Sequence, residues 1–437
     1  MNISVFGLGY VGTICCGCFA KDGHNVIGVD ISKVKVDLIN QGQSPIIESG
    51  IGEIISEVVN DGRLKAMQDS EEAVLNTDIT LICVGTPSKP NGSLDLNYVE
   101  RCCEEIGKAL KKKKEYHIIV GRSTFLPGTS REIVIPTIER NSGKKVGKDF
   151  GFCYNPEFMR EGSSVYDFYN PPKTVIGAID ERSANVVKEL YKNLSEEIIV
   201  TSLEVSEMVK YADNNFHAVK ITFANEIGRI CKRLNIDSYE VMDIFCKDTK
   251  LNLSASYLMP GFAFGGSCLP KDNRALCYKA RTMDVETPLL NSLLESNQKQ
   301  VRNVVKVIIE KGKKKIGVLG FSFKAGTDDL RESPMVEVIE TLLGKGYEIK
   351  LYDKNVNMAR LMGANKQFIE SHIPHIAQLM CENIEEVIND SEVLVIGNKT
   401  EEFKNVLYKI SENKIVIDLV RIDRSWQTEG NYYGLLW

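Results

Sequence analysis

Short apolar runs alternate with helical patterns along most of the chain, and this alternation limits the fold more than any other feature. The runs are rich in Val and Ile, as strands are, and helical periodicity separates most of them. They are NISVF, HNVIGVD, DITLICVG, HIIVGRST, DFGFCYN, KTVIGA and EIIVTS in the first part of the chain, and KKKIGVLGF, YEIKLYD, SEVLVIGN and KIVIDLV in the last. Strands in this order pair in parallel, with helices on both faces of the sheet.

Strand signals are absent between about residues 203 and 301, where helical periodicity dominates. A chain of 437 residues is also longer than one hydrophobic core usually supports. We therefore predict an α/β protein with two Rossmann-like, doubly wound domains joined by a central helical segment. The predicted domains are residues 1–202, 203–301 and 302–437.

Composition limits the partners and the location of the protein. A net charge of −5, with both signs interspersed, offers no basic surface for nucleic acid or a membrane. No apolar stretch is long enough to cross a membrane, and MNISVFGLGYVG has the glycines of a strand and turn, not of a signal peptide. Twelve cysteines without a secretory signal indicate reduced thiols and a cytoplasmic protein.

Cys15 and Cys18 have the C-x-x-C spacing of some metal sites. They lie in a glycine-marked helical segment, and the sequence has no second pair and no histidine cluster to complete a ligand set. We expect them to be small core residues, and we expect no bound metal.

The motif GLGYVG, Gly7 to Gly12, follows the first strand and opens a helix. Gly7 permits a tight turn, Gly9 lets a pyrophosphate approach the backbone, and Gly12 allows close packing of helix on strand. The second strand ends in Asp30, where a carboxylate would bond the adenosine ribose and repel a 2′-phosphate. These features predict NAD as the cofactor and favour it over NADP, although Lys35 would weaken the discrimination.

Two later loops also end predicted strands, VGTP with Thr86 and RSTFLPGT with Thr124. Ligands of open α/β sheets bind at this edge. Both threonines are therefore candidates for contacts to the cofactor or to water, and a turn or helix-cap role is the alternative.

A long helical pattern runs from Val205 to Ile230. One side carries Lys210, Asn214, His217 and Asn225, and the opposite side carries Phe216, Val219, Phe223 and Ile227. A surface helix has a similar pattern, but asparagine is a poor helix former that is usually kept for its hydrogen bonds. An ammonium beside amides and an imidazole would suit an alcohol oxygen and a phosphorylated ligand.

A second polar cluster lies in NPEFMREG, where Glu157 and Glu161 are four residues apart. A helical turn would bring both carboxylates to one side. Acids placed at a helix start to complement its dipole are the alternative.

The segment GFAFGGSCLPKD places Cys268 two residues before Pro270. Because proline is favoured in the first turn of a helix, Cys268 would lie at an N-cap, where the helix dipole stabilises a thiolate. Gly265 and Gly266 would leave room for a ligand. We expect most of the other cysteines to be buried and inert, and we interpret Cys268 as a nucleophile.

Together these motifs resemble the UDP-glucose/GDP-mannose dehydrogenase family over essentially the whole chain. The resemblance rests on FGLGYVG, ICVGTPS, RSTFLPGT, NPEFMREG, the helix with Lys210 and Asn214, GFAFGGSCLPKD and FSFKAGTDDLRESP. It implies oxidation of a sugar's primary alcohol to a carboxylate by two hydride transfers to NAD, through a thiohemiacetal and a thioester on Cys268. The segments SPIIE, TPSKPNG, KLNLS and ANEIG favour GDP-mannose, oxidised to GDP-mannuronate. A UDP-sugar, either UDP-glucose or a UDP-N-acetylhexosamine, is the alternative.

The resemblance also implies roles for individual residues. Lys210 and Asn214 would stabilise the alkoxide, Glu161 and Glu157 would assist thioester hydrolysis or order its water, and Asp272 with Thr124 would support that water and the Lys210 ammonium. The implied cofactor contacts are Tyr10, Val11, Asp30, Lys35, Thr86, Thr124, Lys271 and Arg331. The implied sugar-nucleotide contacts are Glu161, Lys210, Asn214, His217, Asn225, Tyr257, Phe262, Gly265, Cys268 and Lys324.

By the same resemblance, residues 1–202 bind NAD, 203–301 form a homodimer or a larger homo-oligomer, and 302–437 bind the sugar nucleotide. Because Lys324 and Arg331 lie in the last region, a closed site would be shared between domains.

One segment departs from the family's GDP-mannose pattern, Tyr-Tyr-x-Arg before PGFAFGGSC, because this chain has Ser256, Tyr257, Leu258 and Met259 there. An aromatic ring and a guanidinium are lost, so the nucleotide stays open at this point. Two further alternatives are a two-electron hydroxyacid dehydrogenase with a structural Cys268, and a non-catalytic dinucleotide-binding redox sensor.

Overall fold

Two parallel sheets organise the part of the chain that the computed structural model describes, which is residues 1–249, 257–282, 284, 287–356, 374, 376–408, 410, 414–426 and 428–437. The chain divides into two units, Met1–Asp213 and Asn214–Trp437, and each contains one of these sheets.

The first unit contains a sheet of eight strands. They are β1 (Asn2–Phe6), β2 (Asn25–Val29), β3 (Leu64–Met67), β4 (Ile79–Ile82), β5 (His117–Gly121), β6 (Phe150–Tyr154), β7 (Thr174–Ala178) and β8 (Ile198–Thr201). Their order is β3-β2-β1-β4-β5-β6-β7-β8, and neighbours are parallel except for the antiparallel pair β6 and β7.

Helices connect these strands. They are α1 (Tyr10–Lys21), α2 (Lys33–Asn40), α3 (Ile51–Asn60), α4 (Ser70–Leu75), α5 (Asn97–Lys112), α6 (Ile135–Ser142) after a π-helix (Ser130–Val134), α7 (Ser164–Tyr169), α8 (Glu181–Leu190) and α9 (Leu203–Leu234). The division between the two units falls inside α9.

Both faces of the first sheet are buried. Side chains alternate between these faces along each strand, so each strand contributes to the core on both. In β1, Ile3 and Val5 pack in the core on one face, and Phe6 packs in the core on the other. The central strands therefore read as continuous apolar runs in the sequence. Polar and glycine-rich segments begin where β1, β4, β5 and β6 end, and parallel pairing brings these ends to one edge of the sheet.

The second unit consists of helices followed by a five-stranded sheet. Its helices after α9 are α10 (Ser238–Phe245), α11 (Leu269–Thr282), α12 (Pro288–Glu310), α13 (Pro334–Gly344), α14 (Ile376–Leu379), α15 (Ile384–Asp390) and α16 (Glu401–Leu407). Its strands are β9 (Lys315–Leu319), β10 (Glu348–Tyr352), β11 (Val393–Ile396), β12 (Ile415–Asp418) and β13 (Tyr432–Gly434). All neighbours in the order β10-β9-β11-β12-β13 are parallel.

The predicted fold class is confirmed, and every run that we predicted to be a strand forms one. The sequence analysis missed β3 and β13, which are short strands at the edges of their sheets. An edge strand of three or four residues buries too little apolar surface to leave a periodic pattern. The predicted domain boundaries remain predictions.

Candidate active site

The glycine turn after β1 has the geometry of a phosphate-binding turn. Gly7 has a φ of +97°, and a Cβ on Gly12 would lie 1.8 Å from the Gly7 carbonyl oxygen. In contrast, a Cβ on Gly9 would meet nothing within 4 Å. Gly9 caps α1 without any side-chain hydrogen bond, so the first N–H groups of this helix suit an anion. Tyr10 and Val11 form the first turn of the helix.

Asp30 is fastened to this turn at the end of β2. Its two carboxylate oxygens accept hydrogen bonds from Leu8 N and Ser32 N, each at 2.8 Å. Lys35 Nζ lies 3.3 Å from the same carboxylate. The carboxylate is thus held where the ribose of a dinucleotide is expected, and the Lys35 ammonium offsets part of its charge.

Thr86 and Thr124 are brought together by the adjacent strands β4 and β5. Thr86 Oγ1 donates to the Thr124 carbonyl oxygen over 3.2 Å. Neither residue is the N-cap of a described helix, so the cap alternative does not apply.

The segment that follows β6 is not helical, and our expectation of a helical turn joining Glu157 and Glu161 is wrong. The N–H of Met159 donates to Glu157 Oε2 at 2.7 Å, and the N–H of Arg160 donates to Asp167 Oδ2 at 2.8 Å. Carboxylates therefore take the backbone donors that a helical turn would need. Glu157 is buried and Glu161 is partly exposed.

Lys210 and Glu157 form a buried ion pair. Lys210 Nζ donates to Glu157 Oε1 at 2.8 Å and to the Glu157 carbonyl oxygen at 2.7 Å. Burial alone would raise the pKa of Glu157, but the Lys210 charge and hydrogen bond, the Met159 N–H and the Arg122 guanidinium lower this pKa below its ordinary value. Glu157 is therefore a carboxylate at neutral pH, and it fixes the position of the ammonium.

The sequence analysis missed Arg122 and Asn155, which adjoin this pair. Arg122 is buried, and its guanidinium donates to both side-chain and backbone oxygens of Asn155 and to Tyr191 Oη. Each residue directly follows a buried strand, β5 or β6. A polar residue in that position was the signal available in the sequence.

The polar side of α9 is buried, whereas the two phenylalanines of its apolar side are exposed. Lys210, Asn214 and Asn225 are at most 7% exposed, whereas Phe216 and Phe223 are 43% and 42% exposed. This is the reverse of a surface helix, so the alternative of a solvated polar face is excluded.

Cys268 caps α11 in the second unit. Its carbonyl oxygen accepts the Asp272 N–H at 2.8 Å, and Pro270 lies in the first turn, as predicted. Of the twelve cysteines, nine are buried, two are intermediate and only Cys268 is exposed. Cys15 and Cys18 lie in the core of the first unit, as expected.

The first turn of α11 is bound to α9 through side chains. Asp272 is 1% exposed, accepts a hydrogen bond from Asn214 Nδ2, and pairs with Lys271 Nζ at 3.0 Å. One residue further along each helix, Asn273 Nδ2 donates to Asn215 Oδ1 at 3.0 Å. The helix that begins after Cys268 is thus held against the helix that carries Asn214.

The loop before Cys268 is fixed by amide side chains. Asn225 accepts from Gly261 N at 2.8 Å and donates to the Phe262 carbonyl oxygen at 3.2 Å. Asn297 forms the same two kinds of bond with Phe264. The predicted contact of Asn225 with substrate remains a prediction, because here both ends of its amide bond the loop.

Our expectation that Gly265 and Gly266 leave room for a ligand is wrong. A Cβ on Gly265 would lie 2.3 Å from the Glu332 carbonyl oxygen, and one on Gly266 would lie 2.8 Å from the Phe323 ring. The segment after β9 fills this space. The glycines allow two backbone segments to approach each other closely.

The remaining predicted residues also lie in the second unit. The rings of His217 and Tyr257 are 5.0 Å apart, and Tyr257 has a φ of +65°. Lys324 is partly buried, and Arg331 Nε bonds Asp329 at 2.9 Å. At the departing segment, Ser256 lies outside the described residues, and the Met259 sulfur lies 3.9 Å from Arg424 Nη2.

Neither a membrane-spanning helix nor a metal-binding cluster is present among the described residues. No helix in that part of the chain is long and apolar enough to cross a membrane. In the same residues, no three His, Cys, Asp or Glu side chains are grouped so that they could hold a metal ion.

A glycine turn at the first strand of a parallel sheet, with an acid bound to it from the second strand, is the cofactor site of an NAD-dependent dehydrogenase. The chain belongs to the UDP-glucose/GDP-mannose dehydrogenase family, as the resemblance predicted. It matches that family's NAD binding domain over residues 1–195, its central domain over 204–299 and its UDP binding domain over 317–424.

Similar proteins cover the full length of the chain. It is 51% identical over 438 residues to a GDP-mannose 6-dehydrogenase of Pseudomonas savastanoi pv. phaseolicola and 48% identical over 437 residues to one of Azotobacter vinelandii, with 100% of each chain covered. A crystal structure of a ternary complex of GDP-mannose dehydrogenase from Pseudomonas aeruginosa is 52% identical, with both chains fully covered and a TM-score of 0.58. A UDP-glucose dehydrogenase from Pyrobaculum islandicum is 34% identical, with 100% of this chain and 98% of that chain covered and a TM-score of 0.90.

Breaking the buried pair should destabilise the protein. Lys210→Met leaves the Glu157 carboxylate buried without its cation, which costs about 3–5 kcal/mol. We expect the thermal unfolding midpoint at pH 7 to fall by several degrees, and the double variant Lys210→Met/Glu157→Gln to recover most of the loss. Calorimetry measures both. Lys173→Met, which breaks the more exposed pair with Asp213, should cost less than about 1 kcal/mol.

The stability lost in Lys210→Met should depend on pH. With its pKa lowered, Glu157 stabilises the native protein above the ordinary Glu pKa, and this contribution is lost as pH falls through the lowered pKa. In Lys210→Met, less opposes the effect of burial, which raises the pKa of Glu157. The stability deficit of the variant relative to wild type should therefore shrink as pH falls. Equal midpoints for Lys210→Met and Lys173→Met at pH 7 would contradict the role of the pair.

Proposed function

We propose that this protein is an NAD-dependent GDP-mannose 6-dehydrogenase, which converts GDP-mannose to GDP-mannuronate. The observation that carries the four-electron reaction is Cys268, the one exposed cysteine, which caps α11 beside an aspartate bound to α9. The sugar nucleotide is supported by relatives of that name at about half identity over the full chain.

The first oxidation uses the polar side of α9. The substrate's C6 hydroxyl loses its proton to water as the carbon loses a hydride, and the Lys210 ammonium with the Asn214 amide stabilises the alkoxide that develops. Lys210 is held by Glu157 and Asn214 by Asp272, so both donors are oriented before substrate binds. NAD, when bound, accepts one hydride in each oxidation.

The second oxidation proceeds on sulfur. The Cys268 thiolate adds to the C6 aldehyde, and the resulting thiohemiacetal loses a hydride to become a thioester. Water then cleaves the C–S bond, which releases the carboxylate and returns the thiol. The dipole of α11 favours the thiolate at its N-terminus.

The two glutamates have different roles in this proposal. Glu157 is ionised, buried and bound to Lys210 and the Met159 N–H, so it suits holding the ammonium. Glu161 is partly exposed, so it suits ordering the hydrolytic water, with support from Thr124 and Asp272. The other cofactor and substrate contacts named from the family resemblance are part of the same proposal.

The departing segment makes a UDP-sugar the second candidate. Position 259 carries a thioether where the GDP-mannose pattern has a guanidinium, and Arg424 places its guanidinium against that sulfur. NADH release from GDP- and UDP-sugars separates the two candidates.

We further propose the domain boundaries 1–202, 203–301 and 302–437, which family matches ending at 195 and 299 support. All twelve cysteines are free, which supports a reducing, cytoplasmic location. An exposed apolar stripe on α9 supports a homodimer or a larger homo-oligomer; its members are Val205, Met208, Phe216 and Phe223.

The substrate is tested by NADH release from a panel of sugar nucleotides. GDP-mannose should yield two NADH per sugar consumed. For UDP-glucose and UDP-N-acetylhexosamines, kcat/KM should be lower by roughly 100-fold or more. One NADH per GDP-mannose would refute the thioester route, and a preferred UDP-sugar would establish the second candidate.

The nucleophile is tested by Cys268→Ala. Without the sulfur no thioester forms, so carboxylate production should fall by about 100-fold or more, with at most one NADH per sugar. Cys246→Ala removes a half-buried thiol from the same unit and should retain both oxidations. Full carboxylate production by Cys268→Ala would end the assignment.

The oligomer is tested by sedimentation velocity. The wild type should sediment as a dimer or larger species, and Phe223→Ser should weaken association at least tenfold by removing an exposed ring from the α9 stripe. Tyr98→Ser removes a ring that is 50% exposed on α5 and should leave association unchanged. A monomeric wild type would rule the proposal out.

A further inference from the structure

The segment that carries Glu161 has no regular structure between the end of β6 and the start of α7. A residue that orders one water molecule must nevertheless be held within a fraction of an ångström. The backbone on each side of Glu161 therefore needs partners from elsewhere in the unit.

Arg160 is fixed on one side. Its backbone N–H and its guanidinium both bond Asp167, at 2.8 Å from N and 3.0 Å from Nε to Oδ2 and at 2.7 Å from Nη2 to Oδ1. Asp167 is buried on α7. This fastens the residue immediately before Glu161 to the helix that follows it.

Glu48 fixes the other side. This residue lies before α3, far away in sequence, and is only 8% exposed. Its Oε2 accepts the Gly162 N–H at 2.7 Å, and its Oε1 accepts the Ser164 N–H at 3.0 Å. The Ser163 side chain makes no capping bond to α7, so Glu48 serves as the cap from another segment. Charge-assisted bonds of this kind offset the cost of burying a carboxylate.

Tyr10 binds the same two residues. Its hydroxyl oxygen accepts a second bond from the Gly162 N–H, at 3.0 Å, and one from Ser164 Oγ, also at 3.0 Å. Tyr10 belongs to the first turn of α1, directly after Gly9. The segment that follows Glu161 is thus bound to the cofactor turn.

We propose that Glu48 is a positioning residue for the hydrolysis step, and that it acts by holding the backbone that presents Glu161. The inference rests on the proposed function. The Glu48 bonds hold the segment that follows Glu161, whereas Glu157 and Asp272 hold Lys210 and Asn214, the proposed donors of the first oxidation. Loss of Glu48 should therefore slow hydrolysis of the thioester and spare the first oxidation.

The test uses full-length Glu48→Gln. The Gln oxygen can still accept one backbone N–H, but its amide group presents a donor to the other. We expect kcat to fall roughly tenfold or more, with kcat/KM for GDP-mannose within about threefold of wild type, because KM falls together with kcat when thioester hydrolysis limits turnover. Rapid quenching followed by intact-protein mass spectrometry should show an acyl group on Cys268 in a larger share of molecules than in wild type.

Asp180→Asn is the matched control. Asp180 caps α8 in the same unit by accepting the Ser183 N–H at 2.7 Å, so its loss also removes a carboxylate cap. It should lower the unfolding midpoint without changing the acylated share. If Asp180→Asn reproduces the kinetic effect, Glu48 acts only through stability and the inference fails.

The remaining outcomes are also decisive. If wild type releases two NADH and shows a transient acyl group but Glu48→Gln matches its kcat, the inference fails and the proposed function stands. If wild type shows neither, the proposed function fails first. Should Glu48→Gln not fold, Glu48→Asp keeps the charge and shortens the side chain. Glu48→Asp should then show the same acyl accumulation on Cys268. An acylated share equal to that of wild type would overturn the inference.

Discussion

The buried pair of Lys210 and Glu157 is the interaction on which the proposed chemistry depends. Removing two charges from water costs several kcal/mol per ion, and close hydrogen bonds must offset that cost. Here the Lys210 ammonium bonds both the carboxylate and the backbone carbonyl of Glu157, and Arg122 lies close enough to lower the same pKa. Asn214 lies one turn along the same helix, so the helical period places it on the side that carries Lys210.

Amide and carboxylate side chains repeat this arrangement in the second unit. Asp272 binds Asn214, Asn273 binds Asn215, and Asn225 holds the loop that leads to Cys268. Buried polar groups stabilise a single geometry only when their partners are present. The segments on both sides of Cys268, the proposed nucleophile, are therefore held by hydrogen bonds from α9.

Local features of the sequence predicted much of this structure. Strands that bury both faces appear as apolar runs, and the glycine turn after β1 has a characteristic spacing of glycines. Pro270 marks the start of α11, with Cys268 before it. The errors arose where side chains take backbone donors or where a distant segment fills the space. Glu157 and Asp167 take the N–H groups of a turn that would otherwise be helical, and the Glu332 backbone fills the space beside Gly265. Glu48 ends the SPIIE segment, but nothing local in the sequence indicated its role, because its partners lie more than a hundred residues away.

The distribution of the cysteines determines which thiol is most open to chemical modification. Eleven sulfur atoms are wholly or partly shielded by packing, and the twelfth stands at a helix end. Peroxide and other electrophiles that meet the folded protein will therefore reach the Cys268 thiol before any other. In the proposed mechanism, the exposure that would let Cys268 reach a sugar aldehyde also makes it the thiol most open to chemical damage, and the buried thiols offer no protection.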